Sequence, residues 1–216
     1  MTFLSTALYA EGKTDYWLLC PLLKRLTEQV CLAEARTLVE VSEVLRIDAP
    51  PQHRDESRAV RIYEAARPLW GGACILFIHT DASDPERAIA ERVQPGVDLI
   101  RSRLSGGACV AVVPVRETEA WALADGDALR EAFGTTLDDA RLGIPREPRD
   151  VESIEDPKRE LKAAYAHLRR RSRPEDFFQI LGERINLDRL QRVPAFARLR
   201  EDLRGALRDL GILGRT

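Results

Sequence analysis

The sequence predicts an α/β protein with a three-layer core around a four-stranded parallel sheet, followed by a helical segment. Three observations predict it. Apolar runs of strand length alternate with stretches of helical period through residue 113. The run Ala73-Cys74-Ile75-Leu76-Phe77-Ile78 contains no polar residue, as expected of a strand covered on both faces. After Ala124 the strand-like runs stop and only helical periodicity continues.

Residues 3–10 form the first expected strand, closed by the turn Glu11-Gly12. Tyr16, Leu19, Cys20, Leu23, Leu26 and Val30 then recur at helical spacing. Thr14 is placed to cap that helix, and Asp15 suits the positive end of its dipole. Residues 38–47 are β-rich, and Pro50-Pro51 ends them. Ala59, Ile62, Tyr63, Ala66 and Leu69 mark a second helix, and the apolar run at 73–78 is the third strand. Pro85 starts a third helix, which Pro95 should bend or divide. Residues 108–113 form the fourth strand, closed by Pro114. Gly134 ends a helix begun near Asp127, residues 135–156 read as loop, and Asp156-Pro157 starts a helix through about residue 171. Phe177–Leu181 and a run from Phe196 to Leu210, closed by Gly211, give two more helices. The expected division is a core at residues 1–134 with a helical, arginine-rich subdomain at 135–216 packed on it.

Composition narrows the class. No apolar run approaches the ~20 residues needed to cross a bilayer. The N-terminus lacks a basic stretch leading into an apolar one, so a cytoplasmic protein without a membrane partner is expected. Cys20 and Cys31 flank a predicted helix, while Cys74 and Cys109 sit in apolar runs. None forms a C-x-x-C pair, which disfavours a disulfide framework or zinc site. Charge is uneven: 18 Lys and Arg face 27 Asp and Glu through residue 156, against 15 and 8 after it. Charged outer faces of amphipathic helices account for much of this. A basic lobe that meets a polyanion beside an acidic metal site is the sharper reading.

Right-handed crossovers bring all four strand ends to one edge, where open α/β sheets bind ligands. The acids there are Glu11, Asp81 and, beyond strand four, Glu117 and Glu119. Carboxylates drawn from different strands suit Mg²⁺ or Mn²⁺, which can polarise a phosphodiester and activate water. Each residue also has a plainer role. Glu11 and Asp81 could be turn residues, Asp84 before Pro85 an N-cap, and Asp15 a helix-start residue. Glu117 and Glu119 face one way only if the segment is extended. His79 fits a half-buried strand-end position as well as acid–base work, and Trp121 fits the core. Lys158 and Lys162 share one helix face and could meet phosphate, as could the run Arg169-Arg170-Arg171. No G-x-x-x-x-G-K-[ST] or G-x-G-x-x-G follows a strand, which argues against nucleotide triphosphates and dinucleotides.

Glu11-Gly12 after the first strand and the Asp-bearing loop after the third resemble the TOPRIM arrangement of bacterial primases, topoisomerases and OLD-type nucleases. More closely, Glu11-Gly12-Lys13-Thr14-Asp15, His79-Thr80-Asp81 and Pro114-x-x-Glu117-x-Glu119-Ala120-Trp121 resemble a bacterial TOPRIM-like family of unknown function. Glu155-Asp156-Pro157-Lys158, Ile185-Asn186-Leu187 and Pro194-Ala195-Phe196 extend that likeness over most of the chain. The resemblance implies a TOPRIM-like, Mg²⁺- or Mn²⁺-dependent nuclease in which Glu11, Asp81, Glu117 and Glu119 are catalytic. Metal would be held by Glu11, Asp81, Asp84 and Glu119, and nucleic acid by Lys158, Lys162, Arg170 and Arg171. Ser83 stands where an Asp-x-Asp motif needs its second acid. The rival reading is a catalytically silent module partnering an ATPase in a defence-type operon. A small-molecule phosphohydrolase on the same edge is a third.

Overall fold

The computed structural model describes residues 1–166 and 173–214. In chain order it contains β1 (Thr2–Tyr9), α1 (Asp15–Glu34), β2 (Val39–Ile47), α2 (Arg58–Ala66), β3 (Cys74–His79), α3 (Pro85–Ala88), α4 (Gln94–Arg103) and β4 (Gly107–Val112). There follow α5 (Glu119–Ala122), α6 (Gly126–Phe133), α7 (Pro157–Ala166), α8 (Pro174–Arg184), α9 (Leu187–Leu190) and α10 (Pro194–Asp209). The four strands pair in the order β2-β1-β3-β4, all parallel. This is the predicted α/β class.

Alternation of side chains along each strand divides the core into two apolar layers. Leu4, Leu8, Ile75, Phe77, Val110 and Val112 pack on the side of α1 and the C-terminal helices. Ala7, Tyr9, Leu76 and Ile78 pack on the other side, against Ile62 of α2 and Val97 and Ile100 of α4. Phe196, Leu203 and Leu207 of α10 belong to the same cluster as Leu4, so the segment after residue 134 completes a layer of the core. Trp121 is fully buried there, edge-on to Phe196 at 5.2 Å between ring centroids.

Several local readings hold. Pro95 cannot donate to the helix ladder and its ring crowds the preceding turn. The chain responds with a π-helical turn at Ile89–Val93 that separates α3 from α4. Gly134 ends α6 at φ 62°, and Gly211 follows α10 at φ 70°. Asp156 Oδ1 accepts from Arg159 N at 2.8 Å, the expected cap of α7. Of the predicted helix to residue 171, residues 167–171 lie outside the described residues.

Three expectations need correction. Thr14 adopts helical dihedrals and its side chain makes no capping bond. Asp15 Oδ2 instead accepts from Gly12 N at 2.9 Å, reaching back across the turn. Cys20 and Cys31 lie inside α1 and are buried; they do not flank it. The basic C-terminal segment is also less free than a separate lobe, because five of its described arginines pair with acids of the preceding part. Arg184 meets Glu131, Arg189 Asp125, Arg192 Glu147, Arg198 Glu86 and Arg204 Glu34. Part of the charge asymmetry is therefore matched within the fold. Gly182 shows how closely the segment docks: a Cβ there would lie 2.3 Å from the Leu18 carbonyl oxygen of α1.

Candidate metal centre

From β1 the chain crosses to β2 at the sheet edge, then returns past β1 to β3. β1 and β3 are thus neighbours whose outgoing connections run to opposite sides, and their carboxyl ends border the crevice where such sheets bind ligands. Glu11 and Asp15 follow β1; His79, Thr80 and Asp81 end or follow β3.

Ile75, Phe77 and His79 share one face of β3, so the imidazole points toward α1. Asp15, first residue of α1, meets it there: His79 Nδ1 lies 3.5 Å from Asp15 Oδ2. On the other side of the ring, Nε2 lies 3.1 Å from Asp81 Oδ1 and 3.0 Å from Thr118 Oγ1. Asp81 Oδ1 also accepts from Thr118 N at 3.1 Å. Thr118 reaches Asp81 because the chain turns sharply after β4. Val115 bridges Ala82, Arg116 N donates to Ala82 O at 2.7 Å, and Arg116 sits at φ 67°. A left-handed arginine costs about 1 kcal/mol or more, and such strain gathers at functional sites.

The sequence reading placed His79 as half-buried; it is fully buried. Its Nδ1 has no hydrogen-bond partner. With the Nε2 proton donated toward Asp81 or Thr118, the Nδ1 lone pair faces the Asp15 carboxylate with no proton between them. Two acceptors facing each other in a buried place repel unless a proton or cation joins them. One ligand atom each from Asp15, His79 and Asp81 lies within 4.8 Å of the others, a spacing that fits one metal ion. Thr118 Oγ1, 3.0 Å from Nε2, can accept the ring proton and hold the tautomer that leaves Nδ1 open, as outer acceptors do for metal-bound histidines. A nitrogen with two carboxylates fits Mn²⁺ or another transition ion better than Mg²⁺, which prefers oxygen throughout. Burial pushes the Asp15 carboxyl up, as expected of an acid taken out of water.

The other predicted acids are spoken for. Glu11 Oε1 accepts from Thr80 Oγ1 at 2.8 Å and pairs with Arg58 at 3.1 Å and Arg92 at 3.7 Å; its Oε2 lies 3.3 Å from Asp81 N. It shares the predicted edge with Asp81 and braces the β3 loop. Asp84 is exposed and accepts from Arg87 N at 3.1 Å, so it caps α3 as its position before Pro85 suggests. Ser83 is exposed. Glu117 and Glu119 both reach Lys158, whose Nζ is 3.5 Å from Glu117 and 3.6 Å from Glu119. Burial pushes Glu119 upward. Lys158, expected at phosphate, thus stands among carboxylates. Lys162, one turn further, has no ion-pair partner among the described residues and lines a cleft of about 350 Å³ with Leu161 and Phe178. Arg170 and Arg171 lie outside the described residues.

Sequence reasoning does not reach Thr118, and it weighs Asp15 as a helix-start residue and His79 as a half-buried strand end before either as a ligand. The available signal was the pairing of strands one and three, which brings Gly12-x-x-Asp15 opposite His79-x-Asp81.

The family described as Domain of unknown function (DUF4276) matches residues 10–204, and the chain belongs to it. No curated protein and no solved structure matches the chain. No described helix is long and apolar enough to cross a membrane.

Proposed function

We propose that the chain is a TOPRIM-like, divalent-metal-dependent phosphodiesterase, with nucleic acid as its substrate class. The observation that carries the reading is the unpartnered Nδ1 of buried His79, set between Asp15 and Asp81 at the β1–β3 crevice. A divalent ion held there would supply Lewis-acid polarisation of the phosphate and an activated water. The chain's own groups supply the rest. Thr118 fixes Asp81 and the imidazole, Glu11 holds the Asp81 loop, and Arg58, Arg92 and Lys158 bring positive charge to the rim. Substrate class rests on the TOPRIM resemblance and on Lys162; the paired arginines of α8, α9 and α10 contribute little to it.

A second reading has its own support. Glu11 is neutralised by two arginines, Glu117 and Glu119 by Lys158, and Ser83 replaces an acid. These suit a silent module that serves an ATPase partner.

Titrating Mn²⁺ and Mg²⁺ while following the melting temperature separates the two. At a hundredfold excess over Kd, one bound ion stabilises by about 2.7 kcal/mol, which is a rise of roughly 5–10 °C for a chain this size. Asp81→Asn should abolish that rise together with metal-dependent cleavage of labelled single- and double-stranded DNA and RNA. A wild-type protein indifferent to Mn²⁺, Mg²⁺ and Zn²⁺ would leave the silent module as the better reading.

A further inference from the structure

We propose that Lys158 is a tethered counter-cation that takes the place of a second metal ion, so that this edge holds one divalent ion and one ammonium group. The inference rests on the one-ion reading of Asp15, His79 and Asp81, and concerns the acids beside them.

The sequence places Lys158 just inside a helix start, where its backbone is fixed before its side chain is. Asp156 caps α7, and Lys158 N donates to Glu117 Oε2 at 3.0 Å. A free N–H at the helix start therefore holds the same carboxylate that the ammonium group approaches. The tether leaves Nζ between Glu117 Oε1 at 3.5 Å and Glu119 Oε1 at 3.6 Å. Both distances exceed a good N–H···O bond of about 2.7–3.2 Å. The ammonium thus sits between the two acids at nearly equal distances, as a shared counter-ion would.

Glu119 explains why a cation is needed. Its side chain is only 7% exposed, whereas that of Lys158 is 49% exposed. A carboxylate so buried must be neutralised by a partner or a proton. In two-metal hydrolases the pair of ions stands about 3.5–4 Å apart and clamps both oxygens of the displacement. Here the acids for a second ion are present, on the loop after β4 and at the start of α5, but their counter-charge is covalently attached. A lysine in that position offers a single charge and three donors to a phosphate oxygen, and repels a second dication.

The test is the number of Mn²⁺ ions bound, read by isothermal titration on the full chain. Wild type should bind one. Lys158→Ser should bind two, the new ion at least tenfold tighter than any second binding to wild type. Glu119→Gln added to Lys158→Ser should return the count to one, and Lys158→Arg should leave it at one. Lys158 is half-exposed, so folding should survive; Lys158→Met, which keeps the stem, provides a repeat with circular dichroism as the check. Two ions on wild type, or no gain in folded Lys158→Ser and Lys158→Met, would overturn the inference. If wild type binds none but Lys158→Ser binds one that Glu119→Gln removes, the lysine inference stands and the ion at His79 is what fails.

Discussion

Glu11→Gln tests whether Glu11 is a brace or a metal ligand. The substitution keeps shape and removes one charge. In the native protein that charge meets Arg58 at 3.1 Å, with the two side chains 20% and 30% exposed, and the more exposed Arg92 at 3.7 Å. Partly exposed pairs of this kind contribute about 1 kcal/mol and about 0.5 kcal/mol respectively. The carboxylate also accepts from Thr80 Oγ1 and Asp81 N. The amide has a single oxygen for these donors, and its NH₂ must face either Asp81 N–H or the Arg58 guanidinium. That mismatch adds roughly 0.5–1 kcal/mol. The total is about 2 kcal/mol, or a fall of roughly 4–8 °C in melting temperature. Urea unfolding measures the first quantity and a thermal scan the second. Mn²⁺ affinity, titrated on the same samples, should change by less than about threefold, because both Glu11 oxygens are already engaged. A variant as stable as wild type that binds Mn²⁺ tenfold or more weakly would refute this assignment and return Glu11 to the metal shell.

Two further outcomes are expected. Burial holds the Glu119 carboxyl above its ordinary 4.5, so the folded state keeps a proton that the unfolded state releases. Its contribution is therefore present at low pH and lost as pH rises through the folded value. Relative to wild type, Glu119→Gln should gain stability as pH rises above about 4.5 in metal-free urea titrations; a relative loss as pH rises would contradict the sign. Gly182→Ala drives a Cβ to within 2.3 Å of the Leu18 carbonyl and 2.6 Å of Pro21 Cγ. It should cost about 1–3 kcal/mol or more by forcing α8 off α1, while Mn²⁺ affinity stays unchanged. A neutral effect in urea unfolding would mean the two helices can separate without penalty.

The sheet was legible because its signals are local and redundant. An uninterrupted apolar hexapeptide, a helical period after Glu11-Gly12 and a break at Pro95 each follow from one stretch of chain, and each appears where expected. The edge that carries the acids followed from topology alone. What sequence could not rank was the competition among acids for cations and donors. Asp84 and Asp15 look alike as helix-start residues, yet one caps α3 at the surface while the other is 9% exposed against an imidazole. That difference comes from strand order, since α1 begins beside β3 only because β1 pairs with it. Strand and helix order also closes part of the charge asymmetry. Arg184 and Glu131 are far apart in sequence and 3.1 Å apart in the fold, so a count along the chain separates charges that the fold pairs.

Counter-charge is also the strongest argument for where an ion would bind. Glu11 has two guanidinium groups, Glu117 and Glu119 share an ammonium, and Asp84 has a backbone N–H. Among the described residues, Asp15 accepts from the Gly12 N–H, faces a histidine nitrogen that carries no proton toward it when Nε2 holds the ring's hydrogen, and feels the Lys158 charge without a hydrogen bond to it. Protonating Nδ1 would supply the missing charge, and so would a metal. The two solutions differ in a measurable way. A metal takes the nitrogen as a ligand, so removing the imidazole weakens the ion, whereas a proton there leaves metal binding untouched. Mn²⁺ affinity that falls about tenfold or more in His79→Gln, with the fold intact by circular dichroism, would place the ion on the imidazole. Unchanged Mn²⁺ affinity in His79→Gln would mean that His79 only braces Asp81, and that any bound ion is held by carboxylates alone.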